Sequence, residues 1–333
     1  MSELAKKLHF LKNGTEQTAK IYTTASEAGS NYITVKVDGT TGYVPIGDIG
    51  NINATMGMVN KSGNTYTILY SKLPSLTRTT PTPLSKARYA LAATTVGNYA
   101  LFGGGYGGGY SSTVDAYDTS LTRTTATPLS EARSDLAATT VGNYALFGGG
   151  GGSTVDAYDT SLTRPIPTPL SKYKSYLAAT TVGNYALFGG GSGSTVDAYD
   201  TSLTRTIPTP LSEARYYLVA TTVGNYALFG GGNGNGDNPD SSIVDAYDAS
   251  LTRTTATPLS EARSDLAATI VGNYALFGGG SSTVDAYDTS LTRTIPTPLS
   301  KYRSNLAATT VGNYALFGGG STSGSTVDAY TVS

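Results

Sequence analysis

A block of ten residues, VGNYALFGGG, occurs six times without a single change, and this repetition limits the folds that the chain can adopt. The copies begin at Val96, Val141, Val182, Val223, Val271 and Val311. Each copy is followed by the tetrapeptide VDAY after a segment of 3 to 11 residues. The rest of the repeat keeps a constant length. Most of the chain is therefore one structural unit of about 40 residues, repeated with a single loop of variable length.

Each unit contains four short extended segments, which we name strands a to d. Strand a is LAATTV, strand b is NYALF, strand c is TVDAY, and strand d is a Thr-rich segment such as LTRTTATP that ends at proline. The Gly-Asn pair between strands a and b is a strong hairpin signal. Four antiparallel strands in every unit of this length predict the blade of a β-propeller.

The two ends of the repeat region predict how the ring closes. The motif SLTR, which opens strand d, first occurs at Ser75, before any complete unit, and the chain stops at Ser333 just after the sixth strand c. Residues 75 to 83 are thus predicted to supply the missing strand d of the last blade, which removes exposed sheet edges. The prediction is an all-β chain, with a six-bladed β-propeller over residues 73–333, closed three-plus-one, after a small, mostly β domain over residues 1–72.

The repeat resembles the kelch repeat over residues 75–333. The resemblance rests on the paired glycines that close strand b, the VDAYD sequence of strand c, and an arginine shortly before the next strand a. Kelch units commonly place a tryptophan in strand d, where this chain has Leu-Thr-Arg and no tryptophan anywhere. The Trp-Asp and Gly-His signatures of WD-type propellers are absent from the sequence.

Residues 1–72 carry a different pattern, with turn signals at Asn13–Gly14, Asp38–Gly39 and Ser62–Gly63 between β-type segments. This part resembles the N-terminal segments of tail-associated proteins encoded by phages and prophages of Gram-positive bacteria. The resemblance implies attachment to other tail or virion proteins and a location in the phage tail, or outside the cell after release. The N-terminal sequence MSELAKK lacks the pattern of a signal peptide.

Sequence differences between the repeats are concentrated in two loops. The five residues after Leu-Ser, in the d–a loop, read KARYA, EARSD, KYKSY, EARYY, EARSD and KYRSN, and the segment of variable length is the b–c loop. In an antiparallel blade these two loops lie on the same side of the ring, opposite the constant a–b and c–d turns. We call the side that carries them the variable face.

The variable face is rich in tyrosine, serine, aspartate and asparagine, which are also the residues of antibody paratopes. Tyrosine supplies a large amphipathic contact area at low entropic cost. The alternative is drift, because exposed loops vary in any protein. The number of aromatic residues favours binding, and the predicted ligand-binding residues are Tyr89, Asp135, Tyr173, Tyr176, Tyr216, Tyr217, Asp265, Tyr302 and Asn305.

Charged residues that recur in every blade are predicted to be structural. The Asp of VDAY is expected to bond a turn or a neighbouring blade rather than to form a carboxylate ring, and the Arg or Lys in the middle of each pentapeptide is expected to pair from blade to blade rather than to bind an anion in the channel. The insertion around residues 233–242 contains alternating oxygen ligands, but lacks the bidentate Glu of a calcium-binding hand. We predict no metal and no cofactor.

Composition excludes several functions. The chain has no cysteine and a single histidine, His9, outside the repeats, which excludes a copper oxidase site and a Ser-His-Asp triad in the propeller. A net charge of -1 gives no reason to expect nucleic acid, and no apolar segment is long enough to insert in a membrane. The sequence predicts a non-enzymatic receptor-binding protein of a phage or prophage tail, for a host-surface glycan or protein, and leaves room for a homo-oligomer. A structural or assembly protein and a sugar-processing kelch enzyme are the alternatives.

Overall fold

The structure is a computed structural model. It describes residues 81–234, 239–321 and 326–332 and, before them, six strands between residues 7 and 68. The chain divides into two compact units, residues 1–79 and 80–333, which we describe separately. Throughout the described residues, no helix is long and apolar enough to cross a membrane.

The first unit contains three β-hairpins, at the places where the turn signals predict them. Their strands are β1 (Lys7–Lys12) with β2 (Thr15–Lys20), β3 (Tyr32–Val37) with β4 (Thr40–Pro45), and β5 (Gly57–Lys61) with β6 (Asn64–Ile68). In each hairpin two residues separate the paired strands, as between Lys12 and Thr15. The mostly β character predicted for this segment is confirmed at these strands.

The second unit consists of six consecutive antiparallel sheets, one for each repeat. Blade 1 contains β7 (Ala92–Val96), β8 (Tyr99–Gly103), β9 (Val114–Tyr117) and β10 (Arg123–Ala126). Blade 2 contains β11 (Leu136–Val141), β12 (Tyr144–Gly149) and β13 (Val155–Tyr158). Blade 3 contains β14 (Leu177–Val182), β15 (Tyr185–Gly190), β16 (Val196–Tyr199) and β17 (Arg205–Thr206).

The remaining blades repeat this order. Blade 4 contains β18 (Val219–Val223), β19 (Tyr226–Gly230), β20 (Val244–Tyr247) and β21 (Arg253–Thr255). Blade 5 contains β22 (Leu266–Val271), β23 (Tyr274–Gly279), β24 (Val284–Tyr287) and β25 (Arg293–Thr294). Blade 6 contains β26 (Ala307–Val311), β27 (Tyr314–Gly318) and β28 (Val327–Thr331). The repeated sheets confirm the all-β, six-bladed propeller predicted from the sequence.

The a–b hairpin of each blade depends on its glycine. In blade 1 the two-residue turn is Gly97–Asn98, and Gly97 has a φ of 52°, in the left-handed region that glycine adopts without strain. A Cβ atom on Gly97 would lie 3.0 Å from the Thr160 methyl group of blade 2. The glycine therefore serves both the turn and the close approach of the next blade.

Neighbouring blades pack through a glycine and a phenylalanine. A Cβ on Gly148 of blade 2 would lie 2.8 Å from the ring of Phe188 in blade 3, so the ring packs directly against the glycine backbone. Phe188 in turn meets Tyr199 of its own blade edge to face, with centroids 6.0 Å apart. The same pair of contacts recurs from blade 1 to blade 5, and the first strands of successive blades lie side by side at the centre.

Strand d is less regular than the repeat predicts. Blade 2 has no fourth strand, because Pro165 stands where blades 1 and 4 have threonine and it lacks the N–H that a ladder requires. Its carbonyl still accepts a hydrogen bond from Ala157 N at 3.1 Å. This segment therefore lies beside strand c as a strand d would, but position 165 only accepts a hydrogen bond and cannot donate one.

The closing segment predicted at residues 75–83 lies largely outside the described residues, and residues 81–83 form no strand. Within the described part of the chain, blade 6 packs on blade 5, and its other face has no covering neighbour. Val311 is 47% exposed, whereas its equivalent Val141 in blade 2 is 2% exposed. Three-plus-one closure remains a prediction.

An engineered disulfide tests closure. Thr139 and Thr181 of blades 2 and 3 bring their Oγ1 atoms within 2.9 Å, and the equivalent residues across the closing junction are Thr309 and Thr95. In a closed ring the variant Thr95→Cys/Thr309→Cys should form a disulfide as completely as the control Thr139→Cys/Thr181→Cys, because the two pairs would then face each other in the same way across a blade junction. Non-reducing electrophoresis and intact mass measure the bond. A bond in the control pair alone would show that the six blades do not close.

Candidate functional site

The variable pentapeptides lie in the d–a loops at residues 86–90, 131–135, 172–176, 213–217, 261–265 and 301–305. Short backbone bridges join these loops to b–c loops, as between Tyr89 and Tyr106 in blade 1 and between Tyr216 and Asn233 in blade 4. The two kinds of variable loop therefore share one face, as predicted. Each pentapeptide has a buried anchor at its third residue and a special backbone conformation at its fifth.

The third residue of the pentapeptide is a buried cation that fastens the loop to its blade. In blade 2, Arg133 Nη1 donates to the carbonyl oxygens of Gly149 and Thr154, at 2.8 and 2.5 Å. Its Nη2 donates to Asp156 Oδ2 at 2.6 Å. The guanidinium is 3% exposed, so it is not available to a ligand in the channel.

The aspartate of VDAY is the centre of this anchor. Asp156 is fully buried, and its Oδ1 accepts from Arg164 Nη1 of the d segment at 2.9 Å and from Ser130 N of the incoming loop at 3.0 Å. The structural role predicted for these charges is confirmed, but the pairing predicted from blade to blade is wrong. In blades 1 to 5 the Asp joins the loop that enters the blade to strand c and the d segment of that same blade. In blade 2 the arginine of the loop also donates to Phe147 O of strand b, in its own sheet.

Blade 3 carries lysine at this position, and the network is incomplete there. Lys174 Nζ reaches the carbonyl oxygens of Gly190 and Thr195, at 3.0 and 2.5 Å, but forms no ion pair with Asp197. Among the described residues, Asp197 Oδ2 and Ser171 Oγ have no hydrogen-bond partner although both are buried. Lysine has no second nitrogen to bridge from the carbonyls to the carboxylate, which explains the gap.

The fifth residue of every pentapeptide has a positive φ, between 52° and 56°, although none of the six is glycine. Side chains rarely adopt this conformation, and each instance costs about 1 to 3 kcal/mol. At four of these positions the N–H donates to the carbonyl of the preceding fifth residue, for example Asp135 N to Ala90 O at 3.0 Å and Tyr217 N to Tyr176 O at 3.2 Å. We call this set the mouth ring: Ala90, Asp135, Tyr176, Tyr217, Asp265 and Asn305.

The mouth ring lies at the start of the innermost strands and is not symmetrical. Tyr176 and Tyr217 stack, with ring centroids 4.4 Å apart and an interplanar angle of 30°. Burial, the hydrogen bond with Tyr176, and the charges of Asp265 and Asp135 raise the pKa of Tyr217 to about 12. Burial, together with Asp240 of the long b–c loop, raises the pKa of Asp265. The mouth is therefore aromatic on one side and negatively charged around it.

The nine residues predicted for binding separate into two zones. Five of them belong to the mouth ring: Asp135, Tyr176, Tyr217, Asp265 and Asn305. The other four lie further out: Tyr89, Tyr173 and Tyr302 are exposed, and Tyr216 is partly buried. Tyr89 also belongs to an aromatic cluster with Tyr106 and Tyr110, each pair of neighbouring rings having centroids 5.6 Å apart.

The sequence prediction missed two members of the mouth. Ala90 completes the ring in blade 1, and the only available signal was its alignment with the other fifth residues. Asp240 was considered only as part of a calcium loop over residues 233–242, of which residues 235–238 lie outside the described residues. Within the described residues, no group of three or more acidic, histidine or cysteine side chains is placed to hold a metal ion.

The comparisons with known proteins support the fold only. No protein-family model matches the chain. No curated protein matches it either. The solved structure titled "Structure of YjhT", a kelch-type propeller protein, is 12% identical, with a TM-score of 0.56, and the match covers 72% of this chain and 93% of that chain. At this identity the likeness shows a β-propeller fold and nothing about activity.

Replacing the single lysine anchor should stabilise the propeller. Lys174→Arg gives Asp197 Oδ2 the guanidinium partner that Asp156 has, and satisfying a buried charged acceptor contributes about 1 to 3 kcal/mol. We expect the melting temperature to rise by roughly 2 to 4 °C for each kcal/mol. The control Arg133→Lys, which creates the blade 3 arrangement in blade 2, should lower it. Thermal unfolding measures both variants, and a fall for Lys174→Arg would contradict the explanation.

The gain in stability expected for Lys174→Arg should depend on pH. Burial lowers the pKa of Lys174 from 10.5 to about 8, despite the opposing charge of Asp197. Between pH 8 and pH 10.5 the unfolded chain therefore binds more protons than the folded chain, so the stability of the parent rises with pH. The advantage of Lys174→Arg should shrink between pH 7 and pH 9.5. Melting curves of both proteins at these two pH values measure it, and a constant difference would refute the assignment.

Proposed function

We propose that this chain is a non-enzymatic binding protein whose variable face recognises a glycan or protein on the surface of a host cell. The observation that carries the proposal is the mouth ring. Six blades share one scaffold and one strained backbone conformation, yet four different side chains occupy the same position. Glycine would relieve the strain at every one of these positions, and none has it. Side chains retained at such a cost support a role beyond folding.

The outer part of the variable face also supports binding. The exposed tyrosines Tyr89, Tyr173 and Tyr302 surround the mouth, and shallow clefts open between the d–a and b–c loops of blades 1 and 4. Aromatic rings beside polar loops are typical of surfaces that bind carbohydrates or proteins. The setting that we propose remains a phage or prophage tail, with the first unit attached to other tail or virion proteins.

A sugar-processing kelch enzyme is the alternative for which the fold gives some support. A site of the sialidase type would need a cluster of arginines on this face. The five arginines at the third position are buried with Asp or carbonyl partners: Arg88, Arg133, Arg215, Arg263 and Arg303. Because these arginines are buried, they cannot form the arginine cluster of a sialidase-type site, which favours a binding protein over an enzyme. Conversion of a candidate glycan, followed by NMR, would favour the enzyme.

Replacing the stacked tyrosines tests the proposal. Tyr176→Ala/Tyr217→Ala should fold, because Ala90 occupies the same position with the same positive φ in blade 1. Loss of a central interface aromatic typically costs about 2 kcal/mol, which corresponds to roughly 30-fold weaker binding. The assay is binding of labelled protein to arrays of bacterial surface glycans and to panels of bacterial cells.

The matched control changes the opposite face of the same two blades. Asn184 and Asn225 are exposed in the a–b turns of blades 3 and 4, so Asn184→Ala/Asn225→Ala should leave binding unchanged. If the tyrosine variant binds every positive glycan and cell as well as the parent, the variation of the loops is drift. The structural or assembly alternative then replaces our proposal.

A further inference from the structure

The charge of the mouth ring restricts the ligands that it can accept. Its six residues comprise two tyrosines, two aspartates, one asparagine and one alanine, without a cation. The Arg or Lys at the third position of each loop, two residues before the mouth ring, is buried in the blade. An anionic group at the mouth would therefore meet two carboxylates and no compensating positive charge.

Neither carboxylate of the mouth ring has a cationic partner among the described residues. Asp135 Oδ2 accepts a hydrogen bond from Ser134 Oγ at 2.6 Å. The Asp265 carboxylate forms no hydrogen bond or ion pair with the described residues, and the charge of Asp240 lies close enough to raise its pKa. This contrasts with the aspartates of strand c, which are held by one or two arginines. Within the part of the chain that the structure describes, no cation pairs with the negative charge at the mouth.

The stacked tyrosines stand within the field of both carboxylates. Tyr176 N donates to Asp135 O at 3.3 Å, so Asp135 directly precedes the stacked pair in the mouth ring, and Asp265 occupies the equivalent position in the blade that follows Tyr217. In agreement with this placement, both carboxylates contribute to the raised pKa of Tyr217. Tyr176 and Tyr217 remain 38% and 40% exposed, so part of each ring can contact a ligand. An aromatic surface beside carboxylates is the arrangement that binds ammonium groups, through cation–π and ionic attraction.

We propose that the mouth ring binds an ammonium-bearing group, a protonated amine or a quaternary ammonium, with Asp135 and Asp265 as counter-charges and Tyr176 and Tyr217 as the contact surface. This inference rests on the proposed function, since it names the chemical class of group that the surface ligand presents. The exposed lysines Lys86, Lys172 and Lys301 begin their pentapeptides four residues before the mouth ring. Among the described residues, none of these lysines forms an ion pair with Asp135 or Asp265.

Pairs of small probes, each consisting of one cation and one related neutral compound, test the inference. Choline is compared with its uncharged isostere 3,3-dimethylbutan-1-ol, and methyl glucosaminide with methyl N-acetylglucosaminide, by NMR titration of the full chain. We expect the charged probe of each pair to bind at least about tenfold more tightly, since a single ionic contact contributes on the order of 1 to 2 kcal/mol. Equal affinity within both pairs would overturn the proposal.

Two charge variants complete the experiment. Asp135→Asn/Asp265→Asn should abolish the preference and should fold, because Asn305 occupies the same position in blade 6. The control Asp288→Asn removes a charge on the opposite face while keeping an acceptor for Ser290 N and Thr292 N, and it should leave the preference intact. A preference unchanged in the double variant would also overturn the proposal.

The glycan arrays separate this inference from the proposed function. If the double Asn variant keeps full glycan binding while Tyr176→Ala/Tyr217→Ala loses it, the variable face is a binding surface and the ammonium inference is wrong. If neither variant changes glycan binding, the proposed function itself fails. Loss of binding in both variants, together with the charge preference of the probes, supports the two proposals.

Discussion

The buried aspartate of strand c is the interaction on which the rest of the propeller depends. A carboxylate with no exposure is destabilising unless charged or polar donors surround it, and Asp156 has two arginines and a backbone N–H. These donors come from the incoming loop and from the d segment, so one residue holds three parts of a blade in register. Removal of one partner from such a buried pair typically costs about 3 to 5 kcal/mol. The exposed residues of the loop differ between blades, whereas the arginine that pairs with this aspartate is present in five of the six blades. Blade 3 has lysine instead.

The contacts between blades explain why the VGNYALFGGG block does not vary. Phe188 packs so closely on Gly148 of the preceding blade that a Cβ at Gly148 would clash with the ring. Gly97 likewise lies close to Thr160 of the next blade. A larger residue at either glycine would separate two blades, and a smaller residue at the phenylalanine would leave a cavity at every junction. Since each block faces both neighbours, a change in one block must be matched by the next. A repeated interface of this kind favours identical copies.

The sequence predicts the repeated part of the structure well and its exceptions poorly. Strand order, the a–b hairpins and the common face of the two variable loops follow from local signals and from the antiparallel order. The lost strand at Pro165 has a local cause, which the general pattern of the repeat does not show. Two other features depend on tertiary contacts that a pattern does not contain: the pairing of Arg133 within its own blade, and the gap beside Lys174. The positive φ of the fifth residue was also not predicted from the sequence. Asparagine and aspartate adopt such a conformation more often than other residues, but tyrosine does not, so the six residues share no sequence signal for it.

The mouth ring shows how near-identical blades produce an asymmetric site. The anchor at the third residue and the backbone bonds between fifth residues fix where each of the six side chains begins, whatever that side chain is. A change at a fifth residue therefore alters the chemistry of the mouth without disturbing the blade. The arrangement of two aspartates around two stacked tyrosines requires only four substitutions at equivalent positions. The backbone of the blades stays the same. Since the strain of the positive φ is already present in every blade, exchanging one non-glycine side chain for another adds little to the cost of folding. The rigid, repeated blade is what allows this one position to vary.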